Sequence, residues 1–221
     1  MKQNKINIKV IEDYIKSLFI DDVTGHDWLH IDRVRNVAYH IAQTEKVSSM
    51  AVIEASSLLH EIFDYKMLLS KEKPSESDVA RLLSDAGFLK KDVAKVIFIV
   101  NNCSWSRDYF ERKKIKDIEI QIVKDADKLD SIGAVGIART FLYGSANIRP
   151  AFVPKGSAKE FKTIEEYRLS KSDSTIHHMI ERMVKVQATL YTTTAKRIGK
   201  ERHDFTINFI NHFIADWYRY V

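Results

Sequence analysis

Apolar residues recur at spacings of three and four along nearly the whole chain, the pattern of amphipathic helices. The first such stripe comprises Ile8, Ile11, Ile15, Leu18 and Phe19. Only three prolines and seven glycines occur in 221 residues, and helix interiors tolerate both poorly. The sequence therefore predicts an all-α protein built as a helical bundle.

Residues that start and stop helices divide this pattern. Asp27 is placed to cap one helix through its side chain, and Ser75 or Ser77 to cap a short helix that ends at Gly87. The run VIFIV at 96–100 has the composition of a strand. We interpret it as a buried helix, because its neighbours are helical.

The sequence of the C-terminal half predicts two helices over 117–144, joined at Gly133 and Gly136. The segment 147–160 holds two of the three prolines and is expected to be an exposed, mobile loop. One long helix is expected over 173–197, and a final one from Lys200. The final helix carries an aromatic stripe, Phe205, Phe209, Phe213 and Trp217. We interpret this stripe as core, with a homodimer contact as the alternative.

Charge and cysteine content narrow the class of protein. The formal net charge is +5, but no basic tract with interleaved aromatic residues is present, which disfavours nucleic-acid binding. A single cysteine, Cys103, cannot form an internal disulfide. The first residues, MKQNKINIKVIEDY, are too polar for a signal peptide, and no apolar run approaches the roughly 20 residues of a membrane span. We expect a cytoplasmic protein without a membrane segment.

Three segments place acids and imidazoles within apolar helical stripes, where unpaired charges are disfavoured. They are GHDWLHIDRV at 25–34, SLLHEIFDYK at 57–66 and IVKDADKLDSIGA at 122–134. Helices packed in a bundle can direct such side chains to one point. Imidazoles and carboxylates without thiolates suit manganese, magnesium, iron or zinc. Such an ion activates water and polarises a phosphoryl oxygen, which suits the hydrolysis of phosphate esters or anhydrides.

The order of these residues resembles that of the HD-domain metal-dependent phosphohydrolases. The segments GHDW, LLHEIFDYK, VKDADKLDSIGAVGIARTF, TIHHMIERM and TTTAKRIGKERHDF are together similar to the small stand-alone bacterial HD hydrolases. The similarity extends from about residue 20 to the C-terminus. It implies a single HD-type helical domain over 1–221, with a core over about 20–145 and C-terminal helices over about 160–221 packed on it.

The resemblance also implies the ligands of one divalent ion, with manganese or magnesium favoured over iron or zinc. These ligands are His30, His60, Glu61 and Asp127. A helix is predicted over 48–65, and Asp64, four residues after His60, is expected on the same face of that helix, where it would orient water or relay a proton. Glu61 and Asp64 are the expected catalytic carboxylates.

Other residues are expected to contact the substrate. The resemblance implies that Lys66 and Lys128 hold phosphate oxygens. Trp105, with the loop over 147–159, is a candidate for recognising the base or sugar.

His26 and Asp27 precede His30 by one helical turn. They are either a surface histidine and a helix cap, or groups that support the metal and touch the substrate. Asp130 shares a helix face with Asp127 and is expected to support it and to contact the substrate.

Glu61 stands where the family has aspartate, and its extra methylene moves the carboxylate by roughly 1.5 Å. Metal–ligand distances tolerate a few tenths of an ångström, so another rotamer, backbone position or coordination mode must absorb the difference. The site then binds metal normally, binds it differently, or has lost catalysis. The retention of the other ligands and of Asp64 favours a working site.

The function implied is hydrolysis of a nucleotide, most specifically a (deoxy)nucleoside triphosphate phosphohydrolase or pyrophosphatase. A phosphodiesterase or nucleoside monophosphate phosphatase of the same superfamily is the first alternative. A catalytically impaired module that binds metal or nucleotide is the second. A DNA-binding helical bundle is the third, and it would need a basic face.

Overall fold

The computed structural model describes residues 6–63, 74–103, 109–110 and 115–219. Its helices are α1 (Ile8–Phe19), α2 (Trp28–Thr44), α3 (Met50–Leu59), α4 (Glu76–Asp85), α5 (Lys90–Asn101), α6 (Ile118–Asp130), α7 (Gly133–Ala146), α8 (Ile164–Leu169), α9 (Thr175–Glu181) and α10 (Thr193–Tyr218). Short 3₁₀ turns lie at Met183–Lys185 and Gln187–Thr189. These described residues contain no strand, so the all-α prediction is confirmed.

The chain forms two compact units. The first takes its described residues from Met1–Asp22, His26–Ser104 and Ile115–Ala126. In this unit, helices α1, α2 and α5 pack against α3. Its fully buried side chains include Ile11, Ile15, Phe19, Ile31, Ile41, Ile53, Leu58 and Leu59.

Local capping explains where the helices of the first unit begin. The Asp27 carboxylate accepts a hydrogen bond from the His30 amide at 2.9 Å, as predicted, and so starts α2. Ser75 and Asp78 form a reciprocal capping box at the start of α4. The run at 96–100 lies inside α5, so the interpretation as helix rather than strand is confirmed.

The second unit takes its described residues from Val23–Gly25, Trp105–Lys114 and Asp127–Val221. Helix α7 packs against α9 and α10. The predicted joint is present, since α6 ends at Asp130 and α7 begins at Gly133. Gly133 has φ +78°, a conformation that favours glycine, and its amide donates to Thr206 Oγ1 at 2.9 Å.

The prediction of a single helix over 173–197 is wrong. Helix α9 ends at Glu181, two 3₁₀ turns follow, and Leu190 is extended at φ −75° and ψ 143°. The Thr192 side chain then accepts a hydrogen bond from the Ala195 amide at 3.2 Å and starts α10. A strong N-cap within an apolar pattern therefore creates a new helix, which begins at Thr193 and not near Lys200.

The core interpretation of the aromatic stripe on α10 is also wrong. Phe205 is 51% exposed and Trp217 44%, while Phe209 and Phe213 are half-buried against Phe141. A spacing of four residues drifts by about 40° per step around a helix of 3.6 residues per turn. Phe205 therefore turns away from the face that the middle of the stripe buries, whereas the partly exposed Trp217 ring still packs on Phe213 and Phe152.

Among the described residues, no helix is both long and apolar enough to cross a bilayer.

Candidate metal centre

Two buried imidazoles are fixed by their local backbone. His30 lies in the first turn of α2 and is fully buried, while His60 follows the last residue of α3 and is 7% exposed. The His60 Nδ1 lies 2.7 Å from the Ser57 carbonyl oxygen. A carbonyl only accepts hydrogen bonds, so Nδ1 carries the proton and Nε2 presents a lone pair.

Three ligand atoms converge in the first unit. The Nε2 atoms of His30 and His60 lie 3.2 Å apart. Glu61 Oε1 lies 3.5 Å from His30 Nε2 and 3.7 Å from His60 Nε2. Ligands at about 2.0–2.2 Å from one ion are about 3.0–3.5 Å from each other, so only small adjustments are needed to hold a metal.

The glutamate reaches this point from a turn rather than from a helix. Helix α3 ends at Leu59, and residues 60–63 form a turn in which the Ile62 amide donates to the Leu59 carbonyl at 3.0 Å. The prediction that the helix continues past Glu61 is therefore wrong. The turn accommodates the longer side chain and leaves its carboxylate beside both imidazoles.

Three predicted site residues, Asp64, Lys66 and Trp105, lie outside the described residues. The helical spacing assumed between His60 and Asp64 does not hold over residues 60–63, because those residues form the turn. The roles of these three residues stay predictions.

The charges around Glu61 favour its ionised form. Burial raises the pKa of its carboxyl, but the hydrogen bond with His30 and the positive charge that His60, His26 and His30 carry when protonated outweigh this effect. The net result is a pKa far below the usual range of glutamate. Glu61 therefore presents a carboxylate, the form that binds a cation.

The fourth predicted ligand, Asp127, is carried by α6. Ala126 is the last residue of α6 that belongs to the first unit, and Asp127 follows it directly. The helix is continuous through both residues. Asp127 is half-buried. His30, His60, Glu61 and Asp127 each offer one ligand atom, and the four atoms lie within 4.8 Å of one another. The structure thus brings together all four predicted ligands.

His26 and Asp27 have distinct positions. The His26 ring is half-buried and lies edge-on to the His30 ring, with centroids 5.8 Å apart. Asp27 caps α2 through the His30 amide. His26 thus borders the imidazole pair, whereas Asp27 acts on His30 through the backbone.

Lys128 and Asp130 have internal partners in the second unit. Lys128 is 3% exposed, and its Nζ donates to the Thr189 carbonyl at 2.8 Å and lies 4.4 Å from the centre of the Tyr191 ring. Asp130 is 2% exposed and its Oδ2 lies 3.0 Å from Nη1 of Arg139. These contacts give both residues a structural role within the second unit. That either residue also contacts the substrate stays a prediction.

Sequence reasoning assigned no role to Ser57 or Arg139. Ser57 acts through its carbonyl, which any residue at that position would supply, so the sequence holds no signal for it. Arg139 is a lone arginine among the apolar and small residues of GAVGIART, and that contrast was a usable signal.

The donor set fits a divalent ion. Two neutral imidazole nitrogens and two carboxylates are ligands for manganese, iron, magnesium and zinc, and they leave coordination positions free for water or substrate. The described residues thus hold a site suited to metal-dependent hydrolysis.

Comparison with known proteins identifies relatives over nearly the whole chain. No protein-family model matches the sequence. The sequence is 30% identical to the uncharacterized protein YpgQ of Bacillus subtilis over 206 residues, 93% of this chain and 91% of YpgQ. The crystal structure of YpgQ in complex with ADP superposes with a TM-score of 0.75 at 28% identity, covering 95% of this chain and 97% of YpgQ.

A second crystal structure supplies the family. It is an HD-superfamily hydrolase of Bacillus thuringiensis, which matches with a TM-score of 0.71 at 28% identity, covering 95% of this chain and 96% of its own. The helical fold, the extent of these similarities and the converging ligands agree with one another. The chain therefore belongs to the HD-domain superfamily of metal-dependent phosphohydrolases.

Proposed function

We propose that this protein hydrolyses a (deoxy)nucleoside triphosphate, with one divalent ion held by His30, His60, Glu61 and Asp127. The observation that carries the proposal is the convergence of these four ligand atoms within 4.8 Å. A decayed site would be expected to lose this convergence. The position of the Glu61 carboxylate therefore favours an enzyme over a module that only binds.

A nucleotide is the proposed substrate because YpgQ was crystallised with ADP. ADP shares its base, sugar and first two phosphates with a triphosphate. Pyrophosphate release is our first choice of reaction, and the similarity to stand-alone HD hydrolases is its basis.

The chain prepares the site for the ion in three ways. The Ser57 carbonyl fixes the His60 tautomer, so that Nε2 faces inward. The Asp27 cap fixes the backbone at His30. Burial of His30, His60 and Glu61 limits the access of bulk water, which strengthens their electrostatic interactions.

When bound, a divalent ion would polarise a phosphoryl oxygen and lower the pKa of water. We propose manganese or magnesium, because hydrolysis of a phosphate anhydride needs a cation that accepts oxygen ligands from the substrate. Asp64 is proposed to orient water or relay a proton, and Lys66 to hold a phosphate oxygen. The family resemblance supports both of these roles.

The test is a product assay with purified protein, added manganese or magnesium, and a panel of ribo- and deoxynucleotides. Phosphate and pyrophosphate are followed separately in wild type, His60→Ala and the control His40→Ala, which changes an exposed histidine on α2. We expect wild type and His40→Ala to release pyrophosphate when metal is added, and His60→Ala to release none. Release of phosphate from monophosphates, or cleavage of diesters only, would contradict the proposed substrate. Turnover that survives His60→Ala would contradict the proposed site.

A further inference from the structure

We propose that Arg139 is a positioning residue that holds two ligand-bearing segments at once, the loop leading into α2 and the last turn of α6. The inference rests on the proposed metal-dependent function and deepens it. Arg139 acts through the backbone next to the proposed ligands, by its contacts with Gly25 and Asp130.

The guanidinium of Arg139 makes contacts on two sides within the second unit. Its Nε donates to the Gly25 carbonyl at 2.6 Å. Its Nη1 lies 3.0 Å from Asp130 Oδ2 and 3.4 Å from the Asp130 carbonyl oxygen. The side chains are 13% exposed for Arg139 and 3% for Asp130, so this is a largely buried charge pair with strong electrostatic interactions.

The Gly25 side of this contact leads directly to the first ligand. Gly25 has φ +85°, and a Cβ built on it would lie 3.4 Å from the Cβ of Arg139. The next two residues are His26 and Asp27, and Asp27 caps the helix that begins with His30 in its first turn. The Gly25 carbonyl therefore fixes where the chain enters α2.

The Asp130 side leads to the last ligand. Asp130 lies three residues after Asp127, one turn along α6, and its carbonyl is among the last of that helix. Such carbonyls have no partner within the helix and favour cationic donors. Arg202 donates from Nη1 to the neighbouring Leu129 carbonyl at 2.6 Å. Two arginines thus cap α6, and Arg139 also holds Gly25.

The chemistry of arginine matches this double contact. A guanidinium is a rigid plane with donors in fixed directions, so Nε and Nη1 can hold two partners in a defined geometry. An ammonium concentrates its charge at one flexible point. Lysine at this position would reach Gly25 or Asp130, but would not hold both with the same geometry.

The test compares Arg139→Gln and Arg139→Lys with Arg202→Gln, a control variant that removes a second arginine cap of α6. Hydrogen exchange of backbone amides is measured over 24–31 and 127–132 in metal-free protein. We expect Arg139→Gln to accelerate exchange in both segments, and Arg202→Gln in the second only. Arg139→Lys should restore protection in one segment at most.

Manganese affinity, measured by calorimetry, supplies the second comparison. We expect Arg139→Gln to lower the affinity by about 10–100-fold, the usual effect of removing a group that orients metal ligands. Arg202→Gln should remain close to wild type. Unchanged exchange over 24–31 in Arg139→Gln, or an equal loss of affinity in Arg202→Gln, would overturn the inference. If the wild type binds no manganese, the proposed function fails, and the exchange measurement still decides whether Arg139 positions both segments.

Discussion

The Nε2 atoms of His30 and His60 face each other at 3.2 Å inside the first unit, with Glu61 Oε1 beside both. Two imidazoles that present lone pairs toward each other repel unless a proton or a metal ion lies between them. Since the Nδ1 of His60 is committed to the Ser57 carbonyl, this ring cannot turn its lone pair away without losing that bond. The two nitrogens are therefore placed to share either a proton, as an N–H···N hydrogen bond, or a metal ion.

Removing either imidazole should abolish metal binding. His30→Ala or His60→Ala takes away one nitrogen ligand and leaves a cavity in a buried site. Calorimetry should show a manganese affinity at least about 100-fold below that of wild type. Loss of a group that only supports a metal ligand already lowers affinity by up to about 100-fold. His40→Ala, at an exposed position on α2, should bind like wild type. Equal binding by all three variants would place the ion elsewhere.

Glu61→Asp should weaken the site, even though the family has aspartate there. The turn at residues 60–63 already places Glu61 Oε1 within 3.7 Å of both imidazole nitrogens. Shortening the side chain by roughly 1.5 Å withdraws the carboxylate from that position. We expect manganese affinity to fall about tenfold, by calorimetry.

The same shortening at Glu54→Asp, on the preceding helix α3, is the control for the loss of one methylene from a nearby glutamate. Higher turnover by Glu61→Asp than by wild type would show that glutamate marks a site with impaired catalysis.

Asp117 should stabilise the start of α6, the helix that carries Asp127. Its Oδ1 accepts from the Ile120 amide at 3.2 Å, and its other oxygen pairs with Lys95. Burial raises the pKa of this carboxyl, but the hydrogen bonds from Lys95 and from the Ile120 amide lower it more, so the folded-state pKa lies below the usual value. Asp117→Asn keeps a capping oxygen but removes the charge that pairs with Lys95, and should reduce the free energy of unfolding by up to about 1 kcal/mol at pH 7.

The pH dependence of this loss has a definite sign. A lowered folded-state pKa gives stability that is present above the unfolded-state value, about 3.9, and disappears as the pH falls through the folded-state value. Thermal unfolding should show the gap between wild type and Asp117→Asn narrowing below about pH 4. Asp85→Asn, at an exposed position, is the control. A gap that widens on acidification would contradict this assignment.

Gly136→Ala should destabilise the joint between α6 and α7. A Cβ at this position would lie 2.3 Å from the Ser131 carbonyl carbon and 2.4 Å from its oxygen. These are backbone atoms, so the joint itself must shift, at a cost of about 1–3 kcal/mol in the free energy of unfolding. Denaturant unfolding measures this loss, with the exposed Ser145→Ala on the same helix as control. An unchanged midpoint would show that the joint has room.

Local chemistry made much of the fold predictable. The Asp27 and Ser75 caps, the helix over 96–100 and the joint at Gly133 all follow from side chains acting within a few residues. The break after Glu181 was missed because apolar periodicity continues across it, although the cap at Thr192 was visible in the sequence. The aromatic stripe was misinterpreted because its spacing of four was treated as one helical face.

The four ligands were predicted from the family resemblance. Their imidazole and carboxylate groups explain, without the resemblance, why they suit a divalent metal ion. The turn at Glu61 could not be predicted, because the helical pattern continues through Ile62 and Phe63. The contacts of Lys128 and Asp130 also escaped prediction, since their partners, Thr189 and Arg139, are distant in sequence or carried by another helix.

The most direct measurement is the restoration of activity to metal-stripped protein by stepwise addition of manganese, with a deoxynucleoside triphosphate as substrate and pyrophosphate as the readout. We predict no turnover without metal, and a rise that levels off at one manganese per chain in wild type but is absent in His60→Ala. Turnover by the stripped protein, or equal restoration in His60→Ala, would contradict the claim that these four residues hold the ion on which hydrolysis depends.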